Sequence, residues 1–449
     1  MDRRSFLSGA ITVAALAPTG ADAAEPPAFR GAVDAQARGL TPDSPGNQSR
    51  LLQALLQEAA AENKPVFLPP GSYALSNIVL PANTRLMGIA GATRLVFDGD
   101  GHMINAEGAG LIALDGLVID GAGKPLADYV EGLVHLVECG TVQIRNCDVT
   151  GGARNGLALD RCGGHVEANR ITGAKLAAIR AIESTGLTVA GNEIADCGNG
   201  GILVWRWSEG EDGTIVTNNR IARIGAEDGG TGENGNGINA FRAHGVTVAN
   251  NQISDCAFTA VRANAANNVQ ITGNTCLRCG EVAIFSEFGF SGALIANNIV
   301  EKAATGISVA NFDAGGRMAV VANNIIRDLV DEGPYPADEQ GFGVGISVEA
   351  DVTVSGNVID GAPRFGMVLG WGPYLRDVAA TGNVIRDAPV GIAVSVVEGA
   401  SAVLINDNLI SGASEGAIVG MRWSERASGD LALSGAEEFP HVTIARNRA

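Results

Sequence analysis

An asparagine recurs along most of this chain within one short pattern, apolar-x-apolar-x-[Gly/Asn]-Asn-x-Ile, followed several residues later by Gly-Ile-x-Val. The shortest interval between successive asparagines is 23 residues, and longer intervals reflect insertions. A repeat of this length is typical of a solenoid, in which each repeat is one coil packed on its neighbours. The asparagines of the pattern are Asn146, Asn169, Asn192, Asn219, Asn251, Asn274, Asn298, Asn324, Asn357, Asn383, Asn408 and Asn447.

Each repeat is predicted to form three very short strands rich in β-branched residues, for example 187–189, 193–195 and 201–204. The residue before the asparagine is usually Gly or Asn, which tolerate a left-handed backbone. Asparagines of successive coils would stack about 4.8 Å apart and bond neighbouring backbones, so we interpret them as a structural ladder and not as catalytic residues. Leucine-rich repeats share the period but require a leucine framework that is missing here.

The composition agrees with many short strands joined by tight turns. Glycine is abundant at 61 residues and aromatic residues amount to 5%, whereas the hydrophobic fraction of 46% is mostly Val, Ile, Ala and Leu. The formal net charge of −18 repels phosphate backbones and anionic membranes, so nucleic acid is not expected as a partner. A polyanionic sugar chain would need local arginines or a bridging divalent cation such as calcium.

The N-terminus is typical of a twin-arginine export signal. Arg3 and Arg4 precede a Phe-Leu pair, and the apolar run at 10–17 is too short for a transmembrane helix. Residues 21–23 offer a small-residue cleavage site. We therefore predict a signal peptide at 1–23, no membrane insertion, and a mature protein in the periplasm or outside the cell.

A helix is predicted just after Asn47, because the next apolar residues share one helical face. Such a helix would cover the open end of the coil stack and hide unpaired strand edges. The residues of this face are Leu51, Leu52, Leu55, Leu56 and Ala59.

Cysteine positions support the register of the repeats. Cys197, Cys256 and Cys279 each lie five residues after a repeat asparagine, where other coils carry alanine, which predicts an interior column of small residues. Cys256 and Cys279 lie on adjacent coils, where either a disulfide or two stacked thiols would fit, and stacked thiols are favoured. The spacing of the seven cysteines does not predict a zinc or other metal site.

The segment before the repeats resembles the opening of the pectate-lyase-like β-helix superfamily. The resemblance covers nearly the whole mature chain and, with the N-terminal arginines, extends to exported bacterial repeat proteins of unassigned activity. It implies an all-β fold, a single-stranded right-handed parallel β-helix of about 12 or more coils with an N-terminal capping α-helix. The residues that carry it are Ala32-Val33-Asp34-Ala35, the helix after Asn47, the run from Lys64 to Tyr73, and Leu86-Met87-Gly88.

One domain is predicted over 24–449, with the cap at 30–70 and the coils at 71–449. The superfamily includes polygalacturonases, pectate lyases, alginate epimerases and phage tailspikes. Catalytic motifs of these enzymes, such as Asn-Thr-Asp, Arg-x-Pro-x-x-Arg and Asp-Pro-His, are absent from the sequence. Because a fold does not carry a function by itself, the resemblance does not assign an activity.

A binding site is predicted on the sheet that the Gly-Ile-x-Val strands form. Alternation along these strands points Ile238, Val261 and Ile284 inward and the residues after them outward. Insertions at 120–131, 225–237 and 329–343 flank this sheet. The first outward row consists of Arg180, Leu203, Asn239, Arg262, Phe285, Ser308 and Ser347, and the second consists of Trp205, Phe241, Asn264, Glu287 and Glu349.

All four tryptophans are predicted on the side where loops leave this sheet, beside Arg, Asn and Glu residues suited to a sugar ring. Two plainer interpretations stay open: the aromatics pack loops onto the solenoid wall, and the repeated Arg-Trp-Ser-Glu at 206–209 and 422–425 is a structural loop in which Arg pairs with Glu. The acidic stretch 227–233 is interpreted as a solvated loop, with calcium binding as the alternative. The predicted substrate-binding residues are Arg180, Trp205, Arg206, Asn239, Phe241, Asn264, Phe285 and Trp371.

These observations support several functions. An enzyme acting on extracellular or cell-envelope polysaccharide would use Glu287 and Glu349, about 9.6 Å apart at strand spacing, as an inverting pair of carboxylates. A lyase would instead use Arg262 beside Glu287 to neutralise a uronate or to act as base. The alternatives are a non-catalytic glycan-binding or envelope protein and a solenoid that binds no ligand at all. No oligomeric state is predicted.

Overall fold

The computed structural model describes residues 31–230, 232–337, 339 and 341–449. Its strands form three sheets, of 16, 14 and 15 strands, that run along one axis and are named here A, B and C. Each coil contributes one strand to A, then to B, then to C, and strands one coil apart pair in parallel. The prediction of an all-β parallel β-helix is confirmed, with about 14 turns. The predicted signal peptide lies outside the described residues.

Sheet A comprises Val33–Asp34, Val66–Phe67, Thr84–Met87, Leu111–Asp115, Thr141–Arg145, Gly164–Glu167, Leu187–Ala190, Ile215–Thr217, Thr247–Ala249, Val269–Thr272, Ser291–Ala296, Arg317–Ala322, Val352–Ser355, Val378–Thr381, Val403–Asn406 and Val442–Ala445. Sheet B comprises Gly71–Leu75, Thr93–Phe97, Val118–Asp120, Asp148–Thr150, Arg170–Thr172, Glu193–Cys197, Arg220–Ile224, Gln252–Cys256, Thr275–Leu277, Ile299–Glu301, Ile325–Arg327, Val358–Asp360, Val384–Arg386 and Leu409–Ser411. Sheet C comprises Ile78–Val79, Ile104–Glu107, Gly132–Val137, Asn155–Asp160, Ala177–Ile182, Gly200–Glu211, Asn236–His244, Val261–Asn264, Val282–Glu287, Thr305–Val309, Val344–Val348, Phe365–Leu369, Val390–Ser395, Gly416–Arg422 and Glu425–Asp430. The last two strands of sheet C form an antiparallel hairpin.

The predicted asparagine ladder is present at the corner between sheets A and B. A representative member, Asn192, accepts the backbone N–H of Asn169 at 3.0 Å and donates from Nδ2 to the carbonyl of Val166 at 2.9 Å. The same contacts recur from coil to coil as far as Asn447. Because these amides are buried, the ladder satisfies backbone groups that would otherwise be left unpaired at every corner.

Asn146 is not part of this ladder, so its assignment from the repeat was wrong by one residue. Its backbone is left-handed, with φ of 53°, and its exposed side chain donates to Asp115. The ladder position of that coil is occupied by Cys147, whose N–H donates to Asn169 Oδ1 at 3.0 Å. The register is decided by which residue has the left-handed backbone, and an Asn takes that conformation readily. Elsewhere the residues before the ladder do have positive φ, as at Gly191.

The solenoid interior is a continuous column of Ile, Val, Leu and Ala from all three sheets. The three column cysteines Cys197, Cys256 and Cys279 are buried as predicted, and all seven cysteines are buried free thiols. Stacked thiols, and not a disulfide, therefore fill the column between Cys256 and Cys279.

The predicted capping helix spans Ser49–Ala61 and lies against the first strands of the stack. Asn47 Oδ1 accepts the N–H of Ser49 at 2.9 Å, which satisfies a free donor at the helix start. Four of the five predicted apolar positions are buried, while Leu51 is exposed. Short 3₁₀ helices occur at Gln36–Arg38, Phe312–Ala314 and Ala436–Glu438. Among the described residues, no helix is long and apolar enough to cross a membrane.

Candidate functional site

Sheet C has the predicted inward and outward rows. Ile238, Val261 and Ile284 are fully buried and pair in register one coil apart. The first outward row runs in register from Arg180 to Ser347, and the second places Trp205 beside Phe241, Asn264 and Glu287. The insertions at 120–131, 225–237 and 329–343 each connect a strand of sheet B to a strand of sheet C.

A cleft of about 380 Å³ lies on this sheet where four aromatic side chains converge, and we call it the aromatic cleft. Trp207 and Phe288 are its exposed aromatics, at 58% and 44% of their surface. Trp205 and Phe241 meet edge to face with ring centroids 6.1 Å apart. The lining residues are Trp205, Trp207, Gly232, Glu233, Asn239, Phe241, Arg262, Asn264 and Phe288.

A bulge in strand Gly200–Glu211 positions the two tryptophans. The pairing with the next strand is regular up to Trp205 and shifts before Gly210, which turns Trp207 away from the sheet. Glu183 Oε1 accepts the N–H of Trp207 at 2.8 Å, and Arg242 Nη1 donates to the Trp207 carbonyl at 2.8 Å. Neighbouring coils therefore hold this exposed aromatic in place from both sides.

Two polar atoms of residues that line the aromatic cleft have no hydrogen-bond partner among the described residues. They are the indole Nε1 of Trp205 and the amide Oδ1 of Asn239, and both atoms are buried. An unsatisfied buried donor or acceptor costs about 1–3 kcal/mol. Because both atoms are buried, they belong to the wall of the cleft and not to the surface that a ligand would contact.

Arg262 and Glu287 form a buried ion pair next to the cleft. Arg262 Nε lies 2.6 Å from Glu287 Oε1, and Asn264 Nδ2 donates to the same oxygen at 2.8 Å. Burial raises the pKa of Glu287, and the bond from Arg262 opposes this shift. Burial alone would lower the pKa of Arg262, but the bond to Glu287 and the nearby carboxylates raise it overall, so the guanidinium stays charged.

The buried pair also anchors two insertion loops that sequence reasoning did not connect. Arg262 Nη1 donates to the Gly232 carbonyl at 3.0 Å and contacts Glu281 Oε2 at 3.3 Å. Glu281 also accepts the Tyr335 hydroxyl at 2.6 Å and the Thr259 hydroxyl at 2.9 Å. Glu281 belongs to neither predicted row, because it precedes its strand. No periodic signal was therefore available to find it.

Glu349 lies two coils from Glu287 by strand register, as predicted. Unlike Glu287, it bonds a backbone N–H and not an arginine. Its Oε2 accepts the Phe312 N–H at 2.6 Å, at the start of the turn Phe312–Ala314. Burial raises the pKa of Glu349 to about 7, the largest effect on it, with the Asp313 charge adding to the shift. A carboxyl group with such a pKa can hold or release a proton near neutral pH.

The structure does not bring the other predicted binding residues into the cleft. Phe285 lines a separate cavity of about 100 Å³ under Tyr335. Trp371 packs edge to face on Trp423, with ring centroids 5.7 Å apart, further along the sheet. Arg206 pairs with Glu183 at 2.8 Å and not with Glu209, so the Arg–Glu pairing predicted within that loop was wrong. The equivalent pair Arg422 and Glu425 faces across the final hairpin.

Arg180 belongs to a polar cluster that sequence reasoning missed. Its Nη1 lies 2.9 Å from Asp160 Oδ1, and His135 Nε2 lies 3.3 Å from Asp160 Oδ2. Burial would raise the pKa of Asp160, but the His135 bond and the Arg180 charge lower it overall. Extending the second outward row two coils toward the N-terminus leads directly to Asp160 and was the available signal.

In the acidic stretch, Asp228 Oδ2 accepts the Asn199 amide at 2.7 Å, which ties the stretch to the coil below. Within the described ranges, no group of three or more His, Cys, Asp or Glu side chains is arranged to hold a metal ion. Thr231 of this stretch lies outside those ranges. The solvated loop stays the prediction for this stretch, with calcium binding as its alternative.

Comparison with solved structures supports the architecture. The N-terminal fragment of gene product 12 of bacteriophage Phi29 is 14% identical, with a TM-score of 0.62 over 88% of this chain and 69% of that chain. The A-module of mannuronan C-5 epimerase AlgE4 of Azotobacter vinelandii is 15% identical, with a TM-score of 0.53 over 92% of this chain and 99% of that chain. At this identity the likeness establishes the fold alone.

Sequence comparison with curated proteins finds no match. The sequence does match the family described as "Right handed beta helix region" over residues 132–225 and 204–376. These segments together extend over more than half of the chain and establish the predicted right-handed hand of the coils. This protein therefore belongs to the right-handed β-helix family.

Proposed function

We propose that this protein is exported, to the periplasm or beyond, and binds a polysaccharide in the aromatic cleft. The observation that carries the proposal is the pair of exposed aromatics, Trp207 and Phe288, in a cleft that the polar side chains of Asn264 and Glu233 also line. Aromatic faces stack on the apolar faces of sugar rings, while the hydroxyl groups need hydrogen-bond partners. The epimerase modules of similar fold act on mannuronan by name, but the proposal rests on the cleft.

The charge balance favours a neutral glycan or one that brings its own cation. The chain has a formal net charge of −18, and the single positive charge of Arg262 beside the cleft is paired with two carboxylates, so a negative charge is left in excess there. Arg262 is only 7% exposed and already bonds Glu287, Glu281 and the Gly232 carbonyl. A free guanidinium for a uronate carboxylate is therefore not what this arrangement offers, which counts against the lyase hypothesis.

Hydrolysis is the second candidate, favoured by the pKa of Glu349 near 7. A general acid needs a carboxyl group that is still protonated near the working pH. Glu287 would then be the partner carboxylate, although its Oε1 is occupied by Arg262 and Asn264. The non-catalytic interpretation agrees better with that occupancy, so binding is the primary proposal.

The first experiment is a glycan array with the purified protein, with and without calcium, followed by mass spectrometry of any glycan that binds. Intact glycan supports binding without cleavage. Shortened products that disappear in Glu349→Gln support the hydrolase, and unsaturated products support a lyase. If no glycan binds under either condition, the proposal is wrong.

A pair of tryptophan variants tests the location. Trp207→Ala should weaken binding about 2- to 10-fold, the effect of about 0.5–1.5 kcal/mol expected from one aromatic contact. Trp423→Ala is the matched control, because it removes another exposed tryptophan of the same sheet that packs on Trp371 outside the cleft. Equal losses in both variants, or a loss in Trp423→Ala alone, would place the ligand elsewhere.

A further inference from the structure

Two outward columns of sheet A contain no charged residue over the last ten strands, and the ion pair of Arg317 and Asp351 lies beside them. The strand pairings align two outward columns, which begin at Thr188 and Ala190 and end at Thr443 and Ala445. Threonine and alanine fill most positions, and none carries a charge. We call this surface, formed by the outward residues from 188 to 445, the uncharged face.

Earlier coils of the same sheet carry charged residues at the equivalent outward positions. In earlier coils the same two columns contain Arg85, Asp115, Arg145, His165 and Glu167. The backbone geometry is unchanged along the sheet, so the change in side chains is not imposed by the fold. Exposure to solvent does not explain the loss of charge either. Charged residues make up 18% of the sequence, and they normally occupy exposed positions such as these.

Large aliphatic side chains are exposed on this face. Ile215, Leu294, Val320 and Leu404 are exposed by 37–43% and stand in the same column. Leu294 and Val320 are direct neighbours in this column. Exposed apolar surface on an otherwise uncharged face is typical of an interaction site.

We propose that the uncharged face docks against the same face of a second copy of this chain. Ten strands at about 4.8 Å spacing give a length of about 43 Å, and two outward positions give a width of about 13 Å. Two such faces bury roughly 1,100 Å² together, which exceeds the roughly 1,000 Å² expected of a specific interface.

Two physical arguments select a second copy as the occupant. Each copy has a formal net charge of −18, so two copies repel overall, and a stable contact between them needs a surface whose burial adds no cost of desolvating charged groups. The two uncharged columns are such a surface. The columns of both copies also share one strand spacing, so side chains of the two faces meet at matching intervals where the sheets overlap. A twofold axis through the face makes this contact self-complementary and closed.

The test is the mass of the purified chain by sedimentation velocity over a range of concentrations, for wild type and three variants. Wild type should be a dimer. Thr353→Lys and Thr353→Glu place either charge at an exposed position of the face and should weaken the dimer at least tenfold. Lysine makes the net charge less negative and glutamate makes it more negative. If both variants weaken the dimer, the effect comes from the charge placed in the contact and not from the net charge.

Gln143→Lys is the matched control, because Gln143 stands in the same column but outside the uncharged face, and it should leave the dimer intact. Circular dichroism melting curves verify that each variant is folded. The proposal is overturned by a wild-type monomer at all concentrations, by a trimer or larger assembly, by a dimer that tolerates both Thr353 variants, or by one that Gln143→Lys weakens equally. Glycan binding by a monomer would leave the proposed function standing while this inference fails.

Discussion

The guanidinium Nε of Arg262 lies 2.6 Å from Oε1 of Glu287, and the two side chains are 9% and 4% exposed. The same guanidinium reaches Glu281, which bonds the hydroxyl of Tyr335. One arginine thus pairs with two buried carboxylates and bonds the Gly232 carbonyl of the loop at 225–237. We interpret it as a residue that positions the wall of the aromatic cleft.

Removal of Arg262 should destabilise the fold strongly. Arg262→Ala leaves Glu287 and Glu281 buried without their cation, and breaking a buried pair in this way costs about 3–5 kcal/mol. The double variant Arg262→Met/Glu287→Met leaves only Glu281 buried without its cation, so its free energy of unfolding should fall less than that of Arg262→Ala. Urea unfolding followed by circular dichroism measures both. If Arg262→Ala loses less than about 1 kcal/mol, the pair does not hold the loops.

Protonation of Glu349 should make stability depend on pH. Its pKa is about 7 in the folded chain against an ordinary value of 4.5, so the folded state binds the proton more tightly than the unfolded state. Stability therefore declines as pH rises from about 4.5 to about 7 and is flat above that, a total of about 3 kcal/mol at most. Glu349→Gln should remove this decline while it keeps an acceptor for the Phe312 N–H.

The measurement is the melting temperature between pH 4.5 and 8. Glu107→Gln is the control, because it removes an exposed carboxylate of the same sheet. It should follow the wild-type curve. A Glu349→Gln curve parallel to that of wild type would contradict the assignment.

Replacement of a buried asparagine of the ladder should lower the stability of the fold. Asn274→Ala removes the acceptor of the Asn251 N–H and the donor to the Val248 carbonyl, and both partners remain buried. Unsatisfied groups of this kind cost about 1–3 kcal/mol each. Urea and thermal unfolding should therefore show that Asn274→Ala lowers the free energy of unfolding by several kcal/mol.

Asn146→Gly is the matched control for the ladder. This asparagine belongs to the same sequence pattern but is exposed and has a left-handed backbone that glycine adopts freely. Its replacement should change stability by less than about 0.5 kcal/mol, as expected for a surface site. A large loss there would mean that the ladder includes this position after all.

The Tyr335 hydroxyl should hold the loop at 329–343 against the sheet. Tyr335→Phe keeps the ring contacts with Phe258 and Phe342 but removes the bond to buried Glu281. Limited proteolysis should cut this loop faster in the variant than in wild type, because local opening then costs less. Tyr374→Phe, on a loop that contacts Trp423, should leave the cleavage rate unchanged.

The repeat pattern predicted much of the site. Both outward rows of sheet C, their register and the inward positions were correct, because side chains alternate strictly along a strand and each coil adds one strand to each sheet. The three insertions beside the sheet were also predictable, since they interrupt the period. Half-buried Trp205 and exposed Trp207 lie on this sheet, where the sequence predicts all four tryptophans.

Charge partners were not predictable, because they depend on contacts between coils. Arg206 pairs with Glu183 in the preceding coil, whereas the sequence offered Glu209 three residues away. Glu281 and Tyr335 meet although 54 residues separate them, since an insertion folds back over the sheet. Such partners are chosen by how long side chains and loops pack in space, and no periodic signal records that.

The sequence by itself determined that this chain is a stack of parallel coils with an asparagine ladder, since both follow from short-range alternation and from the left-handed residue before each ladder position. Tertiary structure decided which outward residues form one cleft, that Arg262 is buried and committed to two carboxylates, and that Glu349 is separated from that cleft under the turn at Phe312. The reason is physical: local pattern specifies the direction of a side chain, whereas burial, pKa and pairing depend on loops contributed by other coils.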